Sequence, residues 1–376
     1  MSMTWNEAIA ALTGPGAPFE QIEADVRGQR LRVFKNGPPT LRALFDTARA
    51  RGDAPFLVYE DERWSFAETM RQVDALGAAL VRLGIAPGDR VAIAMRNYPE
   101  WVVAFAAITS IGAISVSMNA WWTTEEMEYA LRDSGSRVVI ADAERLERIA
   151  PLLGTLELLP LAVRVTGVLP AGAKNWRDVV VPGDPLPAVA LDPDMDATIL
   201  YTSGTTGHPK GAVSTHRAVT SALLAFACRA LVNAAMGVGG GKQASAHPTS
   251  FVLVVPLFHV TGCVAVMLSC FLAGYKLVMM HKWDPLRALA LIERERITNF
   301  VGVPTQSWDL LECPDFAKYD TSSLASVGGG GAPAPPELVR RVDKSFSAAR
   351  PGIRSEERRV GKECTSWCRS RWSPYH

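Results

Sequence analysis

The chain has 376 residues, 48% of them hydrophobic and 20% charged, with a formal net charge of +1. That length holds two or three domains, and the composition excludes a disordered chain, a collagen-like repeat and a disulfide scaffold. A charge so near zero gives no electrostatic reason to expect nucleic acid or an anionic membrane as the main partner.

The first twenty residues carry no basic stretch, and their apolar run, Ala8 to Leu12, is too short for a secretory signal. Of the six cysteines (Cys228, Cys263, Cys270, Cys313, Cys364 and Cys368), only the last two are closely spaced. No second Cys/His pair completes a zinc site with them. Scattered thiols in apolar surroundings suit a reducing compartment, so a cytoplasmic protein is expected.

The N-terminal half alternates helix and strand signals. Ser65-Phe-Ala-Glu68 reads as a capping box. Phe66, Met70, Val73, Leu76, Leu80 and Leu83 follow at helical spacing, and Gly84 ends the helix. A turn at Pro87-Gly88 leads into a strand over 91–95, a helix over 99–110 and a strand over 113–117. Thr123 to Glu126 is a second capping box, opening a helix to about Asp133, and a strand over 138–141 follows. Such a β-α-β-α-β run builds a parallel sheet covered by helices. Trp121 and Trp122, just before the second box, are expected to pack at the helix entrance.

A proline-rich connector, 179–196, reads as a boundary. It separates a first α/β subdomain with an N-terminal extension (1–178) from a second α/β subdomain (197–353), and the sheets of the two are expected to pack together. In the second, a strand over 197–202, a glycine-rich loop and a short strand over 212–215 precede a long helix. Residues 233–250 read as a mobile loop. Residues 251–280 are almost wholly apolar, yet Pro256, His259, Gly262 and Gly274 interrupt them. They read as a buried strand, a buried helix and another strand, and no transmembrane segment is expected. Residues 354–376 hold six basic and three acidic residues and no periodicity. The run from Arg354 to Cys364 resembles the translation of a common sequencing adapter, so the natural sequence is expected to stop near Ile353 and the chain to be an N-terminal fragment.

The richest chemistry lies in Tyr201-Thr-Ser-Gly-Thr-Thr-Gly-His-Pro-Lys-Gly211. Gly204, Gly207 and Gly211 let backbone N–H groups turn toward one point. The hydroxyls of Thr202, Ser203, Thr205 and Thr206 are neutral donors to phosphate oxygens, and Lys210 supplies a cation. The Walker pattern fails here, because Pro209 and Gly211 stand where Gly and Ser/Thr belong. The loop also joins strand to strand, which counts against a kinase-like or ATPase hydrolase.

This loop resembles the signature loop of the AMP-forming adenylating superfamily, which comprises acyl-CoA synthetases, luciferases and peptide-synthetase adenylation domains. Pro256-Leu-Phe-His-Val-Thr-Gly262 is similar to the family's aromatic-His station at the acyl pocket. Gly330-Gly-Ala-Pro333, followed by Pro336-Glu-Leu338, is similar to its adenine-flanking segment. Trp283-Asp-Pro285 and Gly302-Val-Pro-Thr305 match as well, and 87–93 and 119–135 resemble fatty-acyl members in particular.

The resemblance implies the large N-terminal α/β domain of these enzymes. It also implies activation of a carboxylic acid, expected to be a fatty acid, by ATP with Mg²⁺, and transfer of the acyl group to coenzyme A. Thr202, Ser203, Gly204, Thr205, Thr206, Gly207 and Lys210 would hold the phosphates, and Gly330, Gly331, Ala332 and Pro333 would flank the adenine. His259 would stand where acid and nucleotide meet, with Lys210 and His259 as the catalytic pair. Its plainer role is a hydrogen-bonded core histidine, and a non-catalytic nucleotide- or acyl-binding module of the same fold is the alternative function. None of the aromatic residues (seven Tyr, thirteen Phe, ten Trp) is followed by Gly, so the family's aromatic-Gly-x-Thr-Glu motif with its Mg²⁺-holding Glu is absent. The ribose-binding Asp and the small C-terminal domain with its Lys are absent too, and the chain is expected to be incomplete and inactive by itself.

Overall fold

The structure is a computed structural model and describes residues 3–202, 209–237, 246–330, 334–346 and 350–351. The fold is α/β with mixed sheets, and the chain forms two compact units: 1–239 with 256–282, and 240–255 with 283–376.

In the first unit β1 (Gln21–Val26) and β2 (Gln29–Phe34) form an antiparallel hairpin. β3 (Pro55–Tyr59) pairs antiparallel with β4 (Glu62–Ser65). The expected parallel sheet is built from β5 (Arg90–Ala94), β6 (Ile114–Ser117), β7 (Val138–Asp142), β8 (Leu159–Val163), β9 (Lys174–Asn175) and β10 (Asp196–Thr202). β5 lies between β6 and β7, and β8 and β9 continue beyond β7. β10 adds in parallel on the far side of β6, and β11 (Lys210–Thr215) folds back antiparallel on β10.

Local chemistry accounts for the elements between these strands. Ser65 Oγ accepts the Glu68 N–H at 3.1 Å and starts the helix Phe66–Arg82. Thr123 and Glu126 make both halves of their box, and the helix Thr124–Ser134 follows. The helix Pro99–Ser110 has Pro at its first position and is buried at every residue, as an all-round apolar helix must be. The proline-rich stretch 179–196 runs inside the first unit instead of dividing the chain. β10, directly after it, pairs with β6, and backbone pairing across that stretch outweighs its turn-forming composition.

In the second unit β12 (Ser250–Leu253), β14 (Asn299–Gly302), β15 (Ser326–Gly329) and β16 (Arg350–Pro351) pair in parallel in that spatial order. β13 (Lys276–Met279) belongs to the first unit, where it pairs in parallel with β3. The apolar stretch 251–280 therefore does resolve into strand, helix and strand. Its helical part is a run of π-turns over Thr261–Leu268 continued by Ser269–Ala273. A different segment, His216–Ala235, is the one helix among the described residues long and apolar enough to cross a membrane by length and composition. The segment 238–245, within the loop expected over 233–250, lies outside the described residues.

Two polar groups, one half-buried and one fully buried, tie the first unit together. Arg164, just after β8, forks onto Glu62 of β4 at 2.6 and 2.8 Å and onto Glu100 at 2.9 and 3.0 Å, and its guanidinium lies over the rings of Tyr59 and Tyr98. His216 is fully buried at the start of its helix, where Nδ1 accepts the Leu41 N–H at 3.2 Å. Burial pushes its pKa down to about 4. Because the folded value lies below the unfolded one of about 6.5, its contribution is complete above that value and is lost as pH falls toward 4. Urea unfolding of the wild type should show stability dropping by up to about 3 kcal/mol across this window, and His216→Asn should lack that limb of the profile.

Candidate functional site

Several candidate side chains of the first unit lie just beyond the ends of parallel strands. Ligands in α/β sheets lie beyond the carboxyl ends of the strands, because loops there are free to vary while the strands stay paired. β10 and β11 form the base of the glycine- and hydroxyl-rich loop. Thr202 stands opposite Lys210 in register, and Thr202 Oγ1 donates to the Lys210 carbonyl at 3.4 Å. Both residues are exposed. Ser203, Gly204, Thr205, Thr206 and Gly207 between them lie outside the described residues, as do Gly331, Ala332 and Pro333.

Tyr201 fixes the root of this hairpin. Its ring is buried edge-on to Trp122 at 5.6 Å, and its hydroxyl donates to Asp133 at 2.6 Å and to the Ala130 carbonyl at 3.2 Å. Burial and the Asp133 carboxylate push its pKa up, so the phenol stays neutral. Gly211, across from Tyr201, is required by contact: a Cβ there would meet Ile199 Cγ2 at 2.9 Å and the Tyr201 ring at 3.3 Å.

His259 sits on a tight turn. Its N–H donates to the Pro256 carbonyl at 3.2 Å, and its own carbonyl accepts the Cys263 N–H at 2.9 Å. The Leu257 N–H donates to Asn97 Oδ1 at 2.9 Å, tying the turn to the end of β5. Gly262 lies so close to Pro256 that any Cβ would strike the Pro256 carbonyl. The His259 ring is exposed but backed by Phe258, with centroids 4.8 Å apart, and partial burial lowers its pKa, leaving the imidazole neutral at pH 7. That exposure places His259 outside the core.

Sequence reasoning missed the residue that connects these parts. Trp121 was expected to pack at a helix entrance, as Trp122 does at 7% exposure, yet Trp121 is 53% exposed. Its ring meets Phe258 edge-on at 5.1 Å, and the Arg96 guanidinium lies over it at 5.2 Å. The one sequence signal was position, since a tryptophan pair directly after a parallel strand stands at the carboxyl edge.

A buried ion pair holds this edge. Asp142, the last residue of β7, accepts the Arg145 guanidinium at 2.7 Å, the Arg145 N–H at 3.1 Å and the Arg96 N–H at 3.0 Å. Arg145 and Asp142 are 1% and 4% exposed. Arg145 and Arg148 in turn donate to the Ala120 carbonyl, and Arg148 donates to the Trp122 carbonyl at 2.8 Å. One carboxylate thus fixes the segments after β5 and β7 and, through Arg145, the turn after β6, which Arg148, paired with Glu144, holds as well.

In the second unit the anticipated segments also lie at strand ends. Gly330 follows β15 and donates its N–H to the Gly302 carbonyl at the end of β14, at 3.1 Å. Val303 N–H donates to Gln306 Oε1 at 2.9 Å, and Trp283 Nε1–H donates to Asp309 at 2.7 Å. Nothing crowds a Cβ at Gly330.

Comparison with known proteins adds to this geometry. Residues 44–352 match the family described as AMP-binding enzyme. The chain is 30% identical over 314 residues to 4-coumarate–CoA ligase 2 of Oryza sativa subsp. japonica, covering 80% of this chain and 54% of that protein. It is 31% identical over 287 residues to the long-chain-fatty-acid–CoA ligase FadD13 of Mycobacterium tuberculosis, covering 74% and 52%. The crystallised N-terminal domain of FACL13 from Mycobacterium tuberculosis superposes with a TM-score of 0.65 at 26% identity, covering 81% of this chain and 73% of that one. The chain spans about half the length of the curated relatives it matches.

Breaking the buried pair should be costly, because it strands a charge away from water. Arg145→Met is expected to lower unfolding free energy by about 3–5 kcal/mol, measured by denaturant titration. Gly262→Ala, which forces the Pro256 carbonyl away, should cost on the order of 3 kcal/mol or more and shift the His259 ring resonances in NMR spectra.

Proposed function

Because the chain belongs to the AMP-binding enzyme family, we propose that the whole protein activates a carboxylic acid with ATP and passes the acyl group to coenzyme A. The first step makes an acyl-adenylate and releases pyrophosphate. The observation that carries this reading is the β10–β11 hairpin with Lys210 across from Thr202. Its root reaches Trp122 through Tyr201, one residue from the Trp121–Phe258–His259 ring series. The two matched relatives are named for a fatty acid and for 4-coumarate, so the reading takes an acid with an apolar body. The likeness of 87–93 and 119–135 to fatty-acyl members keeps long-chain acids within it.

The carboxylate is ionised at pH 7, so adenylation asks for no general base. It asks for alignment of the acid with the α-phosphorus and for donors toward the leaving pyrophosphate. Lys210 and the hydroxyls of 202–206 supply those donors, and Gly330 to Pro333 flank the adenine. The neutral imidazole of His259 orients the acid by hydrogen bonding without drawing the phosphates away from Lys210. Mg²⁺ is expected from the resemblance, but among the described residues no group of three or more His, Cys, Asp or Glu is placed to hold a metal.

Acid-dependent exchange of pyrophosphate into ATP by the whole protein tests the reading. Lys210→Ala should slow exchange about a hundredfold, and an unchanged rate would remove Lys210 from the site. The rate should be level from about pH 7 to 8 and fall only below about 6.5, where the imidazole begins to take a proton.

A further inference from the structure

Trp121 is a large aromatic side chain that exposes 53% of its surface while standing on a turn held by several hydrogen bonds. Its N–H donates to Asn119 Oδ1 at 2.9 Å, and the Trp122 N–H donates to the Asn119 carbonyl at 3.2 Å. The carbonyls on either side, of Ala120 and Trp122, are held by the Arg145–Arg148 pair. The indole itself has Arg96 over one face and Phe258 against it at an interplanar angle of 88°. An exposed aromatic surface costs solvation, and one immobilised in advance costs little entropy when a ligand covers it. Such rigid, apolar, partly open anchors at the carboxyl edge of a parallel sheet are where ligands are held.

The shape of the anchor points to what it holds. The rings of Trp121 and Phe258 stand at right angles, and the His259 ring follows, tilted 54° from that of Phe258. Phe258, only 3% exposed, backs this corner, and its open flat walls are the rings of Trp121 and His259. A planar ring contacts such walls by stacking and edge-to-face packing with no internal rotors to freeze. A straight alkyl chain covers the same area only by fixing several torsions. We propose that Trp121 is a specificity-determining wall of the acid pocket, giving ring-bearing carboxylic acids an advantage over straight-chain acids of equal carbon count. This rests on the reading that the site beside His259 takes an organic acid.

The test is a saturation-transfer NMR titration of the 376-residue chain with two nine-carbon acids, 3-phenylpropanoate and nonanoate. In the wild type 3-phenylpropanoate should bind the more tightly. Trp121→Ala should weaken it about fivefold to tenfold while changing nonanoate less than twofold. Trp121→Phe, which keeps a flat face, should retain most of the difference, and it carries the test if the alanine variant does not fold. Equal weakening of both acids, or none, overturns the role of Trp121 and leaves the ligase reading standing. Failure of the wild type to bind either acid overturns this inference, whereas the ligase reading falls only if the whole protein shows no acid-dependent pyrophosphate exchange.

Discussion

The carboxylate of Asp142 is the constraint on which the candidate site depends. A buried ion pair is worth keeping only when desolvation is offset by good geometry and by further hydrogen bonds. Asp142 meets that condition by capping the helix Ala143–Ile149, receiving the Arg145 guanidinium and receiving the Arg96 N–H. Two of those bonds go to Arg145 on that helix and the third to Arg96 after β5, so two segments at the carboxyl edge of one parallel sheet meet on one carboxylate. The edge is therefore assembled as a unit, and Arg96, Trp121 and the turn between β6 and the next helix take their places from a single buried charge and its partner.

The phosphate-type hairpin follows a different logic. Precision is needed only at its root, where Tyr201 anchors β10 through Asp133 and Trp122 and where glycine at 211 lets the partner strand lie against the Tyr201 ring. A rigid root suits a loop whose residue types offer donors to a leaving group whose charge grows during reaction. The His259 turn is held by the close approach of Gly262 to Pro256 and by Asn97. The four described cysteines play no part in this. They are free thiols, three of them buried, and burial pushes those of Cys263 and Cys270 up.

Much of the fold was legible from local signals. The helix over 99–110 is where its proline start and apolar run put it, the Thr123–Glu126 box closes in both directions, and the strands over 90–94 and 138–142 follow their apolar runs within a residue. Local signals misled where distant pairing was stronger. The prolines of 179–196 read as a boundary, but the strand after them completes an earlier sheet. Trp121 and Trp122 are indistinguishable in sequence, and only the position of Tyr201 and of Phe258, each brought in from far along the chain, makes one a core residue and the other an open wall.

By itself the amino-acid sequence determined the chemistry on offer: hydroxyls, glycines and one lysine on a strand-to-strand loop, and a histidine behind an aromatic residue. Those properties depend on residue type and spacing over a dozen positions, which the chain carries wherever it goes. Tertiary structure decided which groups meet and how firmly. The buried Asp142–Arg145 pair, the neutral state of His216 and the open face of Trp121 each arise from the company a side chain keeps once distant segments have packed. Burial and long-range contact are properties of the folded chain that no local pattern encodes.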